Sequence, residues 1–251
     1  MIRISILGTG NVAWHLYRIF AMSEDIEVIQ IIGRNPTAMN LEPGDAQDVS
    51  GFSNIADADV FIIAVKDDAI TEVSEHLLHK KGLVVHTSGS VAMDALSKHR
   101  RRGVFYPLQT FSADRKVDFG SVPLCLEAGD PKDLEVLKKL ASTLTNKVYE
   151  VNSEQRKALH LAAVFGNNFT NHLFYIAQQL CEKNGLAFEM LHPLLKETVD
   201  KIGSISPRDA QTGPARRGDS KTIERHLKQL ENPALKVVYS NLSKSIEKVY
   251  N

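Results

Sequence analysis

Apolar residues follow two different rhythms along this chain. Up to about residue 151 they come in short runs: 1–7 (MIRISIL), 26–32 (IEVIQII), the uninterrupted 60–65 (VFIIAV) and 83–86 (LVVH), with less pure runs at 122–127 and 147–151. Unbroken runs of this length predict strands covered on both faces, as in a parallel sheet. Helical spacing separates them, in Trp14, Leu16, Tyr17 and Phe20, then Ile70, Val73 and Leu77, then 93–99 and an amphipathic 133–144. Residues 35–53 carry Pro36, Pro43, Gly44 and Gly51 and read as irregular, with a short strand near Phe52. Segment 104–111 is apolar around Pro107 and Gln109. Strands alternating with helices predict an α/β fold, a doubly wound parallel Rossmann sheet.

From residue 152 the rhythm changes, and no strand pattern follows. Ser153 is a candidate cap for a helix running to Lys183, where Asn184-Gly185 gives a stop signal. Between 158 and 180 that helix is apolar on nearly every side, the mark of a helix buried all round. Further helices are expected at about 189–202, 221–230 and 233–249. The chain thus divides, on pattern, into residues 1–151, a dinucleotide-binding Rossmann domain, and residues 152–251, a smaller all-α domain for substrate and dimerisation. The apolar helix is too large a face for the remaining residues to cover, so a homodimer through the helical domain is expected.

The first turn carries the clearest chemistry. Gly8-Thr9-Gly10-Asn11-Val12-Ala13 follows the first strand and opens the first helix, fitting the dinucleotide fingerprint G-x-G-x-x-G/A. Gly8 permits the sharp turn, Gly10 lets a pyrophosphate approach the backbone, and Ala13 keeps helix and strand close. The free N–H groups at the helix start face an anion. After the second strand an NAD-selective site places an acid to hold the ribose; this chain has Arg34 and Asn35, which suit a 2′-phosphate and point to NADP(H). An ordinary βα turn and a solvated arginine are the bland alternatives. Val65 and Lys66 end one strand, and Ser88 and Gly89, within Thr87-Ser88-Gly89-Ser90, follow another, where open α/β sheets take ligands. Asp67 and Asp68 read as helix N-terminal acids, and 99–102 (HRRR) as a solvated helix end.

Two constellations lie in the second half. His160, Asn167, Asn168, Asn171 and His172 interrupt the apolar helix; at ~100° per residue, Asn167 and Asn171 fall within about 20° of His160 and Asn168 about 80° round. They are either amides and imidazoles joining neighbouring helices or a cleft wall, with His160 as proton donor and Asn168 orienting substrate. Thr212, Arg216 and Arg217 stand in a Gly/Pro-bent loop before a helix capped by Asp219. They are either a carboxylate or phosphate clamp or a solvated loop.

Composition narrows the partners. The chain of 251 residues is 43% hydrophobic and 24% charged with a formal net charge of zero, which leaves no bulk basic footprint for nucleic acid. No run approaches the ~20 apolar residues of a membrane span, and the N-terminal run is already a strand rather than a leader. Cys125 and Cys181 read as reduced and buried, consistent with a cytoplasmic protein. None of the nine histidines stands at ligand spacing from another histidine or a cysteine, so no metal is expected.

HTSGS (86–90), FYPLQTFS (105–112), SEQRKALHLAAVFGNNFTNH (153–172) and TGPARRGD (212–219) carry a resemblance over essentially the whole chain. The chain resembles a Rossmann-like family with a C-terminal helical domain of unassigned function, labelled as NADP oxidoreductases, in the form found in Bacteroidetes-type bacteria. The wider superfamily includes pyrroline-5-carboxylate reductase, ketopantoate reductase, the β-hydroxyacid dehydrogenases and the deazaflavin-dependent NADP reductases. The resemblance implies NADP(H) in the first domain, a small-molecule substrate between the domains, and a helical domain that forms a dimer. Ketopantoate reductases carry a lysine on this helix with an asparagine eight residues on; here those places are His160 and Asn168, with Lys157 one turn earlier. The expected activity is NADP(H)-dependent hydride transfer to or from a small, anionic carbonyl, imine or hydroxy compound. A non-catalytic NADP(H)-sensing module and a dimeric scaffold are the alternatives.

Overall fold

The computed structural model describes residues 1–33, 47–52, 54–112 and 115–250. Arg34 and Asn35 lie outside the described residues. Among those described, eight strands form one sheet: β1 (Ile2–Leu7), β2 (Ile26–Gly33), β3 (Gln47–Ser50), β4 (Val60–Ile63), β5 (Leu83–His86), β6 (Arg102–Pro107), β7 (Leu124–Ala128) and β8 (Val148–Glu150). Their order is β3-β2-β1-β4-β5-β6-β7-β8. The order reverses at β1, so the crevice beyond its carboxyl end is the switch point of a doubly wound sheet. The short strand expected near Phe52 ends at Ser50.

The unbroken apolar runs have the cause the pattern suggested. In β4, Val60 and Ile62 pack with Ile4, Ile6, Leu16 and Phe20, while Phe61 and Ile63 pack with Leu7, Ile70, Val73 and Leu77 on the opposite face. Alternate side chains enter two cores, so no position is left for a polar residue. Helices α1 (Asn11–Phe20) and α3 (Pro131–Ser142) cover the first face and α2 (Ile70–Glu75) the second.

The sheet is not parallel throughout. β7 runs antiparallel to β6, and β8 is parallel to β7. The link from β6 to β7 holds, among the described residues, only one 3₁₀ turn (Phe119–Ser121). Without a crossover helix the chain returns beside the strand it left, which forces antiparallel pairing. The helix expected at 93–99 is likewise one 3₁₀ turn, Met93–Leu96. Just before it, Ser88 Oγ accepts from Ser90 N and Val91 N in a turn.

The long helix is α4 (Ser153–Ala163), a π-helical segment (Val164–Phe169) and α5 (Thr170–Lys183). Its cap is Asn152, not Ser153: Asn152 and Gln155 form a reciprocal capping box. The expected burial all round is not found in the single chain; Leu161, Phe165, Phe169 and Tyr175 are exposed. Among the described residues a 3₁₀ turn (Phe188–Leu191) and four α-helices follow: α6 (His192–Lys201), α7 (Pro207–Ala210), α8 (Ser220–Gln229), capped by Asp219, and α9 (Pro233–Tyr250).

By compactness the chain divides into residues 1–171 and 172–251. The change of pattern at 151/152 precedes this division, because α4 is tied into the first unit by the contacts described below. In the second unit His226 Nδ1 and Tyr239 Oη, on α8 and α9, lie 2.8 Å apart, and Tyr250 Oη donates to the Arg208 carbonyl. No helix among the described residues is long and apolar enough to cross a membrane. Cys125 and Cys181 are free thiols; Cys125 is buried, whereas Cys181 is only partly so.

Candidate active site

The turn after β1 has the geometry its glycines suggested. Gly8 adopts φ +133°, and a Cβ there would fall 2.1 Å from the Ala64 carbonyl oxygen and 3.4 Å from Val65 Cγ1. The ends of β1 and β4 thus touch through Gly8, which brings Val65 beside the turn. Gly10 caps α1 at an ordinary φ of −85°, and a Cβ there would meet nothing within 4 Å. The space above Gly10 is open. No side chain caps α1 and its first turn holds no acid, so the N–H groups of Asn11, Val12 and Ala13 end in an uncompensated positive dipole. Asn11 Nδ2 donates to the Phe111 carbonyl, tying the turn to the segment after β6. Together these features fit a pyrophosphate on the helix end.

Two strand ends along, the chain builds a second feature. Tyr106 Oη and His160 Nδ1 lie 3.1 Å apart. A Cβ on Gly89 would come 2.5 Å from His160 Nδ1 and 2.8 Å from Tyr106 Cζ. The imidazole and phenol therefore close over a backbone that has room for hydrogen alone. Of the residues singled out in the sequence, Ser88, Gly89 and His160 meet here. Burial pushes the Tyr106 phenol up to about 12, with Cys125 adding to the shift and Arg156 opposing it, so the phenol keeps its proton at neutral pH. His86, at the end of β5, is wholly buried; desolvation and the nearby Arg156 charge bring it down to about 4.

Arg156, one helical turn before His160, holds this region together. It is fully buried, pairs with Glu127, and donates to the carbonyls of Ser88 and Val91 at 3.2 and 2.6 Å. Glu127 also accepts from the backbone N–H and the hydroxyl of Ser153. The 88–91 turn, β7 and α4 are thereby joined through one guanidinium. Ser90 Oγ donates to Asp67, linking the same turn to the end of β4. Asp67 thus braces a loop as well as beginning a helical turn.

The other expected residues are placed differently. Lys66 is exposed on the loop after β4. Asn168 lies exposed in the π-helical segment, where the wider turn departs from the ~100° step that placed it about 80° from His160. In the second unit Arg216 donates to the carbonyls of Asp209 and Gln211, and its guanidinium lies 5.0 Å from the Tyr250 ring centroid. Arg216 therefore braces its own loop. Arg217 and Thr212 are exposed. Tyr106, Arg156 and Glu127 were not singled out from the sequence. Tyr106 follows an ordinary strand pattern, and Arg156 stands among charged neighbours at a helix start; only a pairing across 29 residues reveals its role. Among the described residues no group of His, Cys, Asp and Glu could hold a metal ion.

A family model described as a domain of unknown function (DUF2520) matches residues 122–246. Among solved structures, "putative NADP oxidoreductase BF3122 from Bacteroides fragilis" is 38% identical, with a TM-score of 0.90 and 98% of each chain covered. Protein TM1727 from Thermotoga maritima is 24% identical with a TM-score of 0.73, again over 98% of each chain. An imine reductase from Myxococcus stipitatus, in complex with NADP+, shares the fold at 14% identity and a TM-score of 0.64, covering 98% of this chain and 92% of its own. No match is found among the curated proteins. At 38% identity over nearly its whole length, the chain belongs to the Rossmann family, with a helical C-terminal half, that includes the Bacteroides fragilis protein.

Proposed function

We propose that this protein is an NADP(H)-dependent oxidoreductase that moves hydride to or from a small, anionic carbonyl, imine or hydroxy compound. The observation that carries the reading is the open, uncapped start of α1 at Gly10, at the switch point of the sheet. Gly8, Gly10, Asn11, Val12 and Ala13 would hold the pyrophosphate, Arg34 and Asn35 the 2′-phosphate, and Val65, Lys66, Ser88 and Gly89 the path towards the nicotinamide. The cofactor, when bound, supplies the hydride chemistry. The 38%-identical relative's description names NADP, and the fold is shared with an imine reductase solved with NADP+, which supports the same choice.

His160 is the proton-transfer group in this reading. In the tautomer in which Tyr106 donates to Nδ1, the imidazole carries its proton on Nε2, on the side of the ring away from the phenol. Tyr106 holds the ring through this contact, and Gly89 leaves room for both. Asn168 as the orienting amide, Arg217 and Thr212 as the anion contacts, and substrate binding between the domains belong to the same proposal. So does a homodimer through the helical domain, for which the exposed Leu186, Met190, Leu194 and Val199 supply apolar surface. Two free thiols suit a cytoplasmic setting.

Gly10→Val tests the cofactor site. The backbone there is ordinary and the space open, so the fold should survive while the side chain occupies the path of the pyrophosphate. NADPH should quench or shift fluorescence in the parent and fail to do so in the variant, with melting temperatures alike. Equal NADPH affinity in the two proteins would refute the assignment.

A further inference from the structure

The 99–102 run, expected as a solvated helix end, has another role. His99 is buried, Arg102 begins β6, and Arg100 and Arg101 border a cavity of about 750 Å³. Lys80, Lys81, Lys98 and Lys132 also line it, and the only lining carboxylates are Asp130 and Asp133. Asp57 and Glu75 reach two of these cations from outside the lining, so six cations stand against four carboxylates, a local excess of two in a chain whose net charge is zero.

The position of this basin separates it from the cofactor turn. Gly82 and Arg101 immediately precede β5 and β6, and Asp130 follows the antiparallel β7. All three mark the amino-terminal edge of the parallel strands, whereas Gly8–Ala13 and Ser88–Gly89 lie beyond the carboxyl ends. A four-residue strand spans roughly 13 Å, so one ligand group cannot serve both edges.

The cations fall into two sets. Lys80 is held by Asp57 at 2.9 Å, Lys98 by Glu75, and Arg101 by the nearly buried Asp133 at 2.7 Å. These pairs neutralise three of the six lining cations. The side chains of Lys81, Arg100 and Lys132 are exposed and make no hydrogen bond or ion pair with the described residues. Asp130 is committed to capping α3 through Lys132 N. Three unpaired cations around a ligand-sized concavity suit charge-assisted contacts to several anionic groups at once.

We propose that this basin is a second ligand site, taking a compact polyanion with two or more phosphate or carboxylate groups. A nucleic-acid duplex would need a basic stripe rather than one concavity. The test is calorimetric titration of the full chain with tripolyphosphate and, separately, citrate at low salt, with and without excess NADP+. At least one probe should bind with Kd below ~1 mM, weaken as salt is raised, and be indifferent to NADP+. Phosphate and carboxylate ligands are told apart by which probe binds. Lys81→Gln/Arg100→Gln/Lys132→Gln should lower that affinity roughly a hundredfold, with the melting temperature and NADPH affinity kept, because all three side chains are exposed. Unchanged probe affinity in the triple variant, displacement by NADP+, or no binding of either probe to the parent would overturn the proposal.

Discussion

Replacing Arg156 by methionine isolates the contact that joins the 88–91 turn, β7 and α4. The guanidinium is fully buried and the Glu127 side chain is 14% exposed, so the variant leaves a carboxylate with little water and no cation. Breaking a buried pair from one side costs about 3–5 kcal/mol. Glu127 keeps its two bonds from Ser153, which places the loss near the lower end, about 3 kcal/mol. In a unit of this size that is a fall of roughly 6–12 °C in melting temperature. Adding Glu127→Gln removes the stranded charge while still accepting from Ser153. The double variant should therefore recover at least about 1 kcal/mol over Arg156→Met alone. Urea and thermal unfolding of the parent, both single variants and the double variant close the cycle. A loss below about 0.5 kcal/mol in Arg156→Met, or additive losses in the double variant, would refute the reasoning, because either result means that the pair does no more than fill space.

His160→Gln should lower turnover by ~10²–10⁴ on a cognate substrate while leaving NADPH affinity nearly unchanged; full specific activity in a destabilised variant would make the residue structural instead. His86 titrates at about 4 when folded and near 6.5 when unfolded, so the folded state disfavours its protonation. Stability from this group is present above pH 6.5 and is lost as the pH falls towards 4, amounting to about 3 kcal/mol, with the buried His99 shifted in the same direction. His86→Gln should flatten that acid limb in urea midpoints measured between pH 7 and pH 4.5, and an unaltered limb would contradict it. Sedimentation at micromolar concentration should give a dimer that Leu194→Glu dissociates; a monomeric parent would count against the helical-domain interface.

The sequence by itself determined the periodicities and the turn. Apolar runs long enough to fill both faces of β1, β4 and β5 have few other folded destinations, and Gly8 and Gly10 can be read as a strand–turn–helix because backbone conformation and close approach are local demands. The stop at Gly185, at φ +68°, and the Asp219 cap of α8 were legible for the same reason. What tertiary structure alone decided depends on contacts that no local pattern encodes. The direction of β7 goes with a link from β6 that holds no crossover helix among the described residues, a matter of how the intervening chain packs rather than of the strand's own residues. Tyr106 reached His160 across 54 positions, and Arg156 found Glu127 across 29, and neither distance leaves a trace in spacing. The run 99–102 shows the limit most plainly. Four charged or basic residues predict solvent, yet the fold buries one, starts a strand with another, pairs a third with Asp133 and leaves Arg100 exposed, because burial depends on what the rest of the chain brings alongside.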